Sequence, residues 1–234
     1  MSAKTRTRLA ALITAVSATA LGVLVAAIIG WEEQDETFLI ALVALVVVSE
    51  LAEFSPSPNS RVSMSIGVIF AAGIFGGFPL VVVVALAVAL ADQLLHRVAL
   101  HKAAYNAGLL IITGATFTAA IDVVSNATTD DPLSLMAPVM LGSLIAFAVN
   151  SSLLALAISL ETGRRPWSVY SADFAWMIPH YLILAVLALF MTAAYDRWEL
   201  RGLALLLAPV AMLWLAIKNY VDRLSLPGAS PATD

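Results

Sequence analysis

Apolar positions in this chain recur neither every second residue, as in a half-buried strand, nor every third and fourth, as in a soluble amphipathic helix. They come in long unbroken blocks separated by short polar joints. Eight blocks stand out, at about 9–30, 37–54, 63–78, 79–98, 102–124, 135–159, 174–195 and 200–220. A helix needs roughly 20 apolar residues to cross the ~30 Å hydrocarbon layer of a bilayer, and most of the blocks have that length. A backbone in hydrocarbon must satisfy its own hydrogen bonds, and no alternating ten-residue strand pattern is present, so each block is predicted to be a helix. The third block is short and breaks at Gly76-Gly77-Phe78-Pro79, which predicts a tilted or kinked span. Pro209 predicts a kink in the last.

The fold expected is therefore all-α: a polytopic integral membrane protein of about eight transmembrane helices, the third short or kinked. It is read as one domain, 1–224, followed by a disordered cytoplasmic tail, 225–234, in the polar Pro/Gly/Ser stretch that ends the chain. Composition agrees: 61% of residues are hydrophobic and 12% charged, and the mean hydropathy is +0.95. The first block follows Lys4, Arg6 and Arg8 as a signal peptide would, but it is longer than a signal core and more blocks follow, so it is read as a retained helix. There is no cysteine, which excludes disulfides, thiolate metal sites and thiol nucleophiles.

Charge gives this layout a direction. Lys4, Arg6, Arg8, Arg61, Arg97, Lys102, Arg164, Arg165, Lys218 and Arg223 fall on one side of the predicted membrane, and only Arg197 and Arg201 on the other. The ten-to-two excess predicts a bacterial inner-membrane protein with both termini cytoplasmic. The opposite joints are acidic, WEEQDE at 31–36 and TTDD at 128–131, and Asn126-Ala127-Thr128 forms a chance-level glycosylation sequon.

Polar groups inside the apolar blocks are the candidates for function, because a charge at a helix centre costs about 2.5–3.5 kcal/mol to insert. They are Glu50 and Glu53, Asp92, Asn106, Asn150, and His180 with Tyr181. All fall in the predicted cytoplasmic half. Glu50, Asp92 and Asn106 lie about one turn from its edge, and Asn150 and His180 roughly 10–15 Å deep. The plainer reading is strong for Asp92, which stands four residues before His96 and can pair locally and reach the interface. Asp92 and Asn106 are expected to hold the hairpin between the fourth and fifth blocks, with Asn150 and His180 lining a polar cavity. Ala11, Ala15, Ala18, Gly22 and Ala26 form a small-residue stripe on the first helix; most such stripes are internal helix packing, and a minority are docking faces.

Catalytic signatures are missing. No HExxH, paired EExxxR, GxSxG or Gly-rich phosphate loop occurs, and His96 and His101 lie about 140° apart around a helix. No enzyme activity, metal, cofactor or nucleic-acid partner is expected.

The stretch LADQLLHRVALHKAAYNAGLLIITG resembles a pattern in the membrane-embedded N-terminal regions of bacterial signalling proteins of the GGDEF and HD-GYP kind. There a span ends in an acid, a basic turn follows, and Lys-Ala-x-aromatic-Asn opens the next span. SELAEF at 49–54, RVSMSIGVIFAAGIFGGFP at 61–79, FAVNSSLLALAISLETGRRPW at 147–167 and the closing LLLAPVAMLWLAIKNYVDRL are similar to the rest of that order. The resemblance implies a sensor-like membrane domain. It does not imply cyclic-dinucleotide chemistry, because the chain ends where an output domain would begin. A looser similarity is to the substrate-binding membrane subunits of vitamin transporters, which capture ligand towards the outer face, opposite to the bias seen here. The leading expectation is a non-catalytic sensor or regulatory module acting through a separate protein partner; the alternative is a transporter subunit or small-solute carrier. Expected partners are the lipid bilayer, a cytoplasmic or membrane protein and a small-molecule ligand.

Overall fold

The computed structural model describes residues 3–31, 35–51, 54–57, 60–62, 64–125 and 134–225. The sequon, the acidic stretch at 128–131, Glu53 and tail residues 226–234 lie outside them. Helices dominate: α1 (Ala3–Ile29), α2 (Glu36–Leu51), α3 (Ser65–His96), α4 (Leu100–Ser125), α5 (Met136–Thr162), the single turn α6 (Pro166–Val169) and α7 (Ile178–Ser225). Between α2 and α3 the Ser/Pro-rich stretch makes a small antiparallel hairpin, β1 (Phe54–Ser57) with β2 (Ser60–Val62), which the block pattern did not foresee.

By length and composition, five helical stretches among the described residues suffice to cross a membrane: Thr5–Ile29, Ser65–His96, Leu100–Ser125, Met136–Thr162 and Pro166–Ala204. These are compatible with a membrane location. Eight separate blocks become five for two reasons. α2 has 16 residues, short of the length a crossing needs. The third and fourth blocks are joined in α3, and the seventh and eighth in α7, each through a single non-helical residue.

Those two residues reverse the chain. In α3 it is Gly77, with φ 63° and ψ −153°, a conformation glycine adopts without steric penalty. Pro79 follows in the first turn of the second arm, where a missing N–H is harmless. In a straight helix Ile69 and Val81 would be about 18 Å apart. Instead the side chains of both close on the same point beside Gly114 of α4, so arms 65–76 and 78–96 are antiparallel. In α7 the reversal is at Glu199, φ 52° and ψ −139°. Gly202 lies so close to the Ala194 carbonyl that a Cβ there would overlap it, an approach open only to glycine. Pro209 sits within continuous helix, and the break in α7 falls at Glu199 instead.

Because α3 is a hairpin, Ser65 and His96 emerge at the same end of the bundle whether or not the arms traverse a bilayer completely. The first arm, about 18 Å long, is too short to do so alone. The basic turn at 97–102 therefore lies at the same end of the bundle as the start of α3. Around the same end lie the start of α1 and the end of α5. At the far end Phe38 of α2, Phe75 of α3 and Tyr195 of α7 cluster, with ring centroids 4.1, 4.4 and 5.5 Å apart.

The core sits between α3 and α4, which share the largest interface, with α5 and α7 closing over it. Phe70 and Phe117 stack at 4.0 Å and are fully buried. α1 is attached chiefly to α4, and through the face opposite to the one expected. Val16, Ala20 and Ala27 are its buried residues, whereas Ala11, Ala15, Ala18, Gly22 and Ala26 are all exposed. The helix-packing role assigned to that stripe is corrected: close approach comes from Gly108 of α4, against which Val16 and Ala20 lie.

Candidate functional site

Three helices bring polar side chains together near the middle of the bundle. Asn150, half-buried on α5, lies 2.7 Å from the Tyr181 hydroxyl on α7 and 3.1 Å from the Thr113 hydroxyl on α4. Thr113 is also 2.7 Å from the carbonyl of Leu109, one turn back. A threonine hydroxyl carries one hydrogen and cannot serve both the Leu109 carbonyl and an amide oxygen. The conflict vanishes with the amide oxygen towards Tyr181: Tyr181 donates to Asn150, the Asn150 NH2 donates to Thr113, and Thr113 donates to Leu109. Every hydroxyl hydrogen then has an acceptor, so this orientation is chemically preferred.

The junction is closed. Thr113 is fully buried and Tyr181 is 2% exposed, with the Phe147 ring edge-on to Tyr181 at 5.1 Å and Phe70 at 6.1 Å. Asn150 and Tyr181 thus belong to a packed contact of α4, α5 and α7, where a polar cavity was expected around Asn150 and His180. His180 is about 100° around the helix from Tyr181, half-buried, and not part of the trio.

The other candidates separate. Glu50 is 6% exposed near the C-terminal end of α2. Asp92 bonds His96 at 3.0 Å in the last turn of α3's second arm, the local pairing its spacing foretold. That arm ends because Arg97 takes the left-handed conformation, φ 50°, and its N–H returns to the Gln93 carbonyl. Asn106 is half-buried on α4 without joining the trio. The next pair, α4 with α5, is joined by Lys102 with Glu161 at 3.0 Å and by the Tyr105 hydroxyl donating to the Leu153 carbonyl at 2.8 Å. Sequence reasoning missed Tyr105 and Thr113 because tyrosine and threonine are ordinary in apolar helices. A hydroxyl at the centre of a block was the available signal.

Immediately before Tyr181 the chain is not regular α-helix. α6 passes into a π-turn, Tyr170–Phe174, then a 3₁₀ turn, Ala175–Met177. Arg164 bonds Asp173 at 3.1 Å across this segment, and Trp167 stacks on Tyr170. Such distortions free backbone groups and recur at functional positions.

At the far end Asp35 joins α2 to α7. Its carboxylate accepts the N–H groups of Thr37 and Phe38, capping α2, and the Tyr195 hydroxyl at 2.8 Å. The Tyr195 hydrogen bond, reinforced by that of the Phe38 N–H, holds the carboxyl below the usual aspartate range.

The architecture defines a helical protein compatible with membrane residence. No family model matches the chain, and no curated protein or solved structure shows significant similarity to it.

Proposed function

We propose that this chain is a non-catalytic sensor or regulatory module of the bacterial inner membrane, acting through a separate protein partner at the cytoplasmic face. In this reading about eight helical segments, counting the short α2 and both arms of α3 and α7, sit in a bilayer that thins around the shorter ones, and the two termini are cytoplasmic. The ten-to-two basic excess supports that orientation, and so does the return of both α3 arms to one end. The resemblance to membrane regions of bacterial signalling proteins points the same way.

One observation carries the proposal. The Asn150–Tyr181–Thr113 junction pins the start of α7 directly after the π and 3₁₀ turns, which lie at the basic end. A ligand or membrane change that alters the junction therefore displaces a segment exposed to a cytoplasmic partner. The distorted segment also favours a second reading, a small-solute carrier, because broken helices line transport sites.

The chain has no cysteine, so single cysteines report cleanly. With a cysteine at the exposed position 171, Asn150→Leu is expected to change its labelling rate several-fold while the protein stays folded. An unchanged rate sinks the coupling, and partner-free solute uptake into proteoliposomes favours the carrier. A cysteine at position 99 is expected to react with an impermeant reagent only from the cytoplasmic side; labelling from outside overturns the orientation.

A further inference from the structure

The outward face of α5 carries a shallow, open depression. A shallow groove of about 580 Å³ is lined by Leu144, Ile145, Ala148, Val149, Ser152 and Leu153, two adjacent columns along one helical face. The small residues Ala148 and Ser152 make the hollow, and the partly exposed Leu144 and Ile145 flank it. An apolar surface is expected wherever a helix faces lipid. The shape of this one, and what stands at its end, are specific.

Its Leu153 end adjoins the cluster where Leu12 and Ile13 of α1 meet Tyr105 and Leu109 of α4. The groove therefore runs towards the end of the bundle where α1 and α4 begin and α5 finishes. Arg6 and Arg97 stand there, and with them four further cationic side chains. Arg8 is one turn before Leu12, Lys102 is just before Tyr105, and Arg164 and Arg165 follow the Gly163 cap of α5. Ser159, whose hydroxyl donates to the Arg164 carbonyl, lies about 10 Å along α5 from Ser152. Lys102 and Arg164 each bond an acid, Glu161 and Asp173. Arg8 and Arg165 are exposed, with no ion pair among the described residues. Trp167, 73% exposed, adds an aromatic group of the kind that seats at headgroup level.

We infer that the groove holds an acyl chain of one anionic phospholipid whose phosphate is received by Arg8 and Arg165. Long basic side chains reach from apolar surface to the headgroup layer, and each strengthens an anionic contact roughly fivefold. A zwitterionic lipid fills the hollow equally well but gains less from the cations. A second copy is the poorer occupant, because a two-fold contact through this face sets the same basic residues against each other. The inference rests on the membrane placement and not on the signalling role.

The test is native mass spectrometry of the protein released from nanodiscs holding equal phosphatidylglycerol and phosphatidylcholine with identical chains. Retained lipid is expected to be enriched about 25-fold in phosphatidylglycerol, about fivefold from each of the two arginines. Arg8→Ala and Arg165→Ala each lower that enrichment roughly fivefold. Ala148→Phe, which fills the hollow and leaves the cations in place, lowers retention of both lipids. Equal retention of the two lipids, enrichment unaffected by the arginine substitutions, undiminished retention in Ala148→Phe, or release as lipid-free dimers overturns the inference. Failure of the membrane placement is distinguishable, since the protein then does not enter nanodiscs at all.

Discussion

Removing the Tyr181 hydroxyl tests whether the buried junction couples α7 to α5. Tyr181→Phe keeps the ring against Phe147 and Phe70 and deletes only the 2.7 Å bond to Asn150. Hydrogen bonds between helices in membrane proteins contribute about 0.6 kcal/mol on average and about 1.7 at most. With Tyr181 2% exposed and Thr113 fully buried, the half-buried Asn150 amide is approached by solvent from one side only, so the upper part of that range applies. Tyr181→Phe should therefore cost about 1–2 kcal/mol. Asn150→Leu, which also strips the Thr113 contact, should cost about 1–3. The double variant should fall short of the sum by about 1–1.5 kcal/mol, because the same bond is removed twice. Equilibrium unfolding of the four proteins in mixed micelles measures this directly. A coupling energy within about 0.3 kcal/mol of zero, the scatter expected of independent sites, refutes the bond between these side chains.

The reversals make the next predictions. Glu199→Gly should stabilise the protein by about 1 kcal/mol by relieving a positive φ on a residue with a Cβ, visible as a raised melting temperature; a lowered one means the backbone is not left-handed there. Gly202→Ala should destabilise by about 2 kcal/mol or more in the same assay, and a neutral result contradicts the close approach to Ala194. Asp35 is more acidic folded than unfolded, so its stabilisation is present above its ordinary value of 3.8 and lost as pH falls through the lowered folded value. Asp35→Asn keeps the cap and the acceptor for Tyr195 but cannot titrate, so melting temperature against pH should fall less steeply in acid; equal slopes exclude the linkage. Lys102→Ala should cost no more than about 1 kcal/mol, shrinking in high salt, since Lys102 and Glu161 are 51% and 43% exposed. A larger, salt-independent loss means the pair is shielded from solvent.

Long apolar blocks of this length admit only helices, so the helical class and the places where polar joints fall were legible in residues alone. So was the local Asp92–His96 pair, because four-residue spacing is a property of one helix. Gly76-Gly77-Phe78-Pro79 announced a break; only the positions of Ile69 and Val81 beside Gly114 show that it is a reversal. The second reversal falls in the polar joint between the seventh and eighth blocks, and only the structure shows that it is made at the single residue Glu199. Which side of α1 packs was also beyond sequence, because a small-residue stripe looks the same whether it meets a neighbour or faces outward. The pairing of Asn150 with Tyr181 and Thr113, separated by 31 and 37 positions, depends on how three helices rotate about their axes. Hydrophobicity selected that a chain like this forms helices, and the directional packing of side chains between helices selected the rotations that make a junction of these three residues.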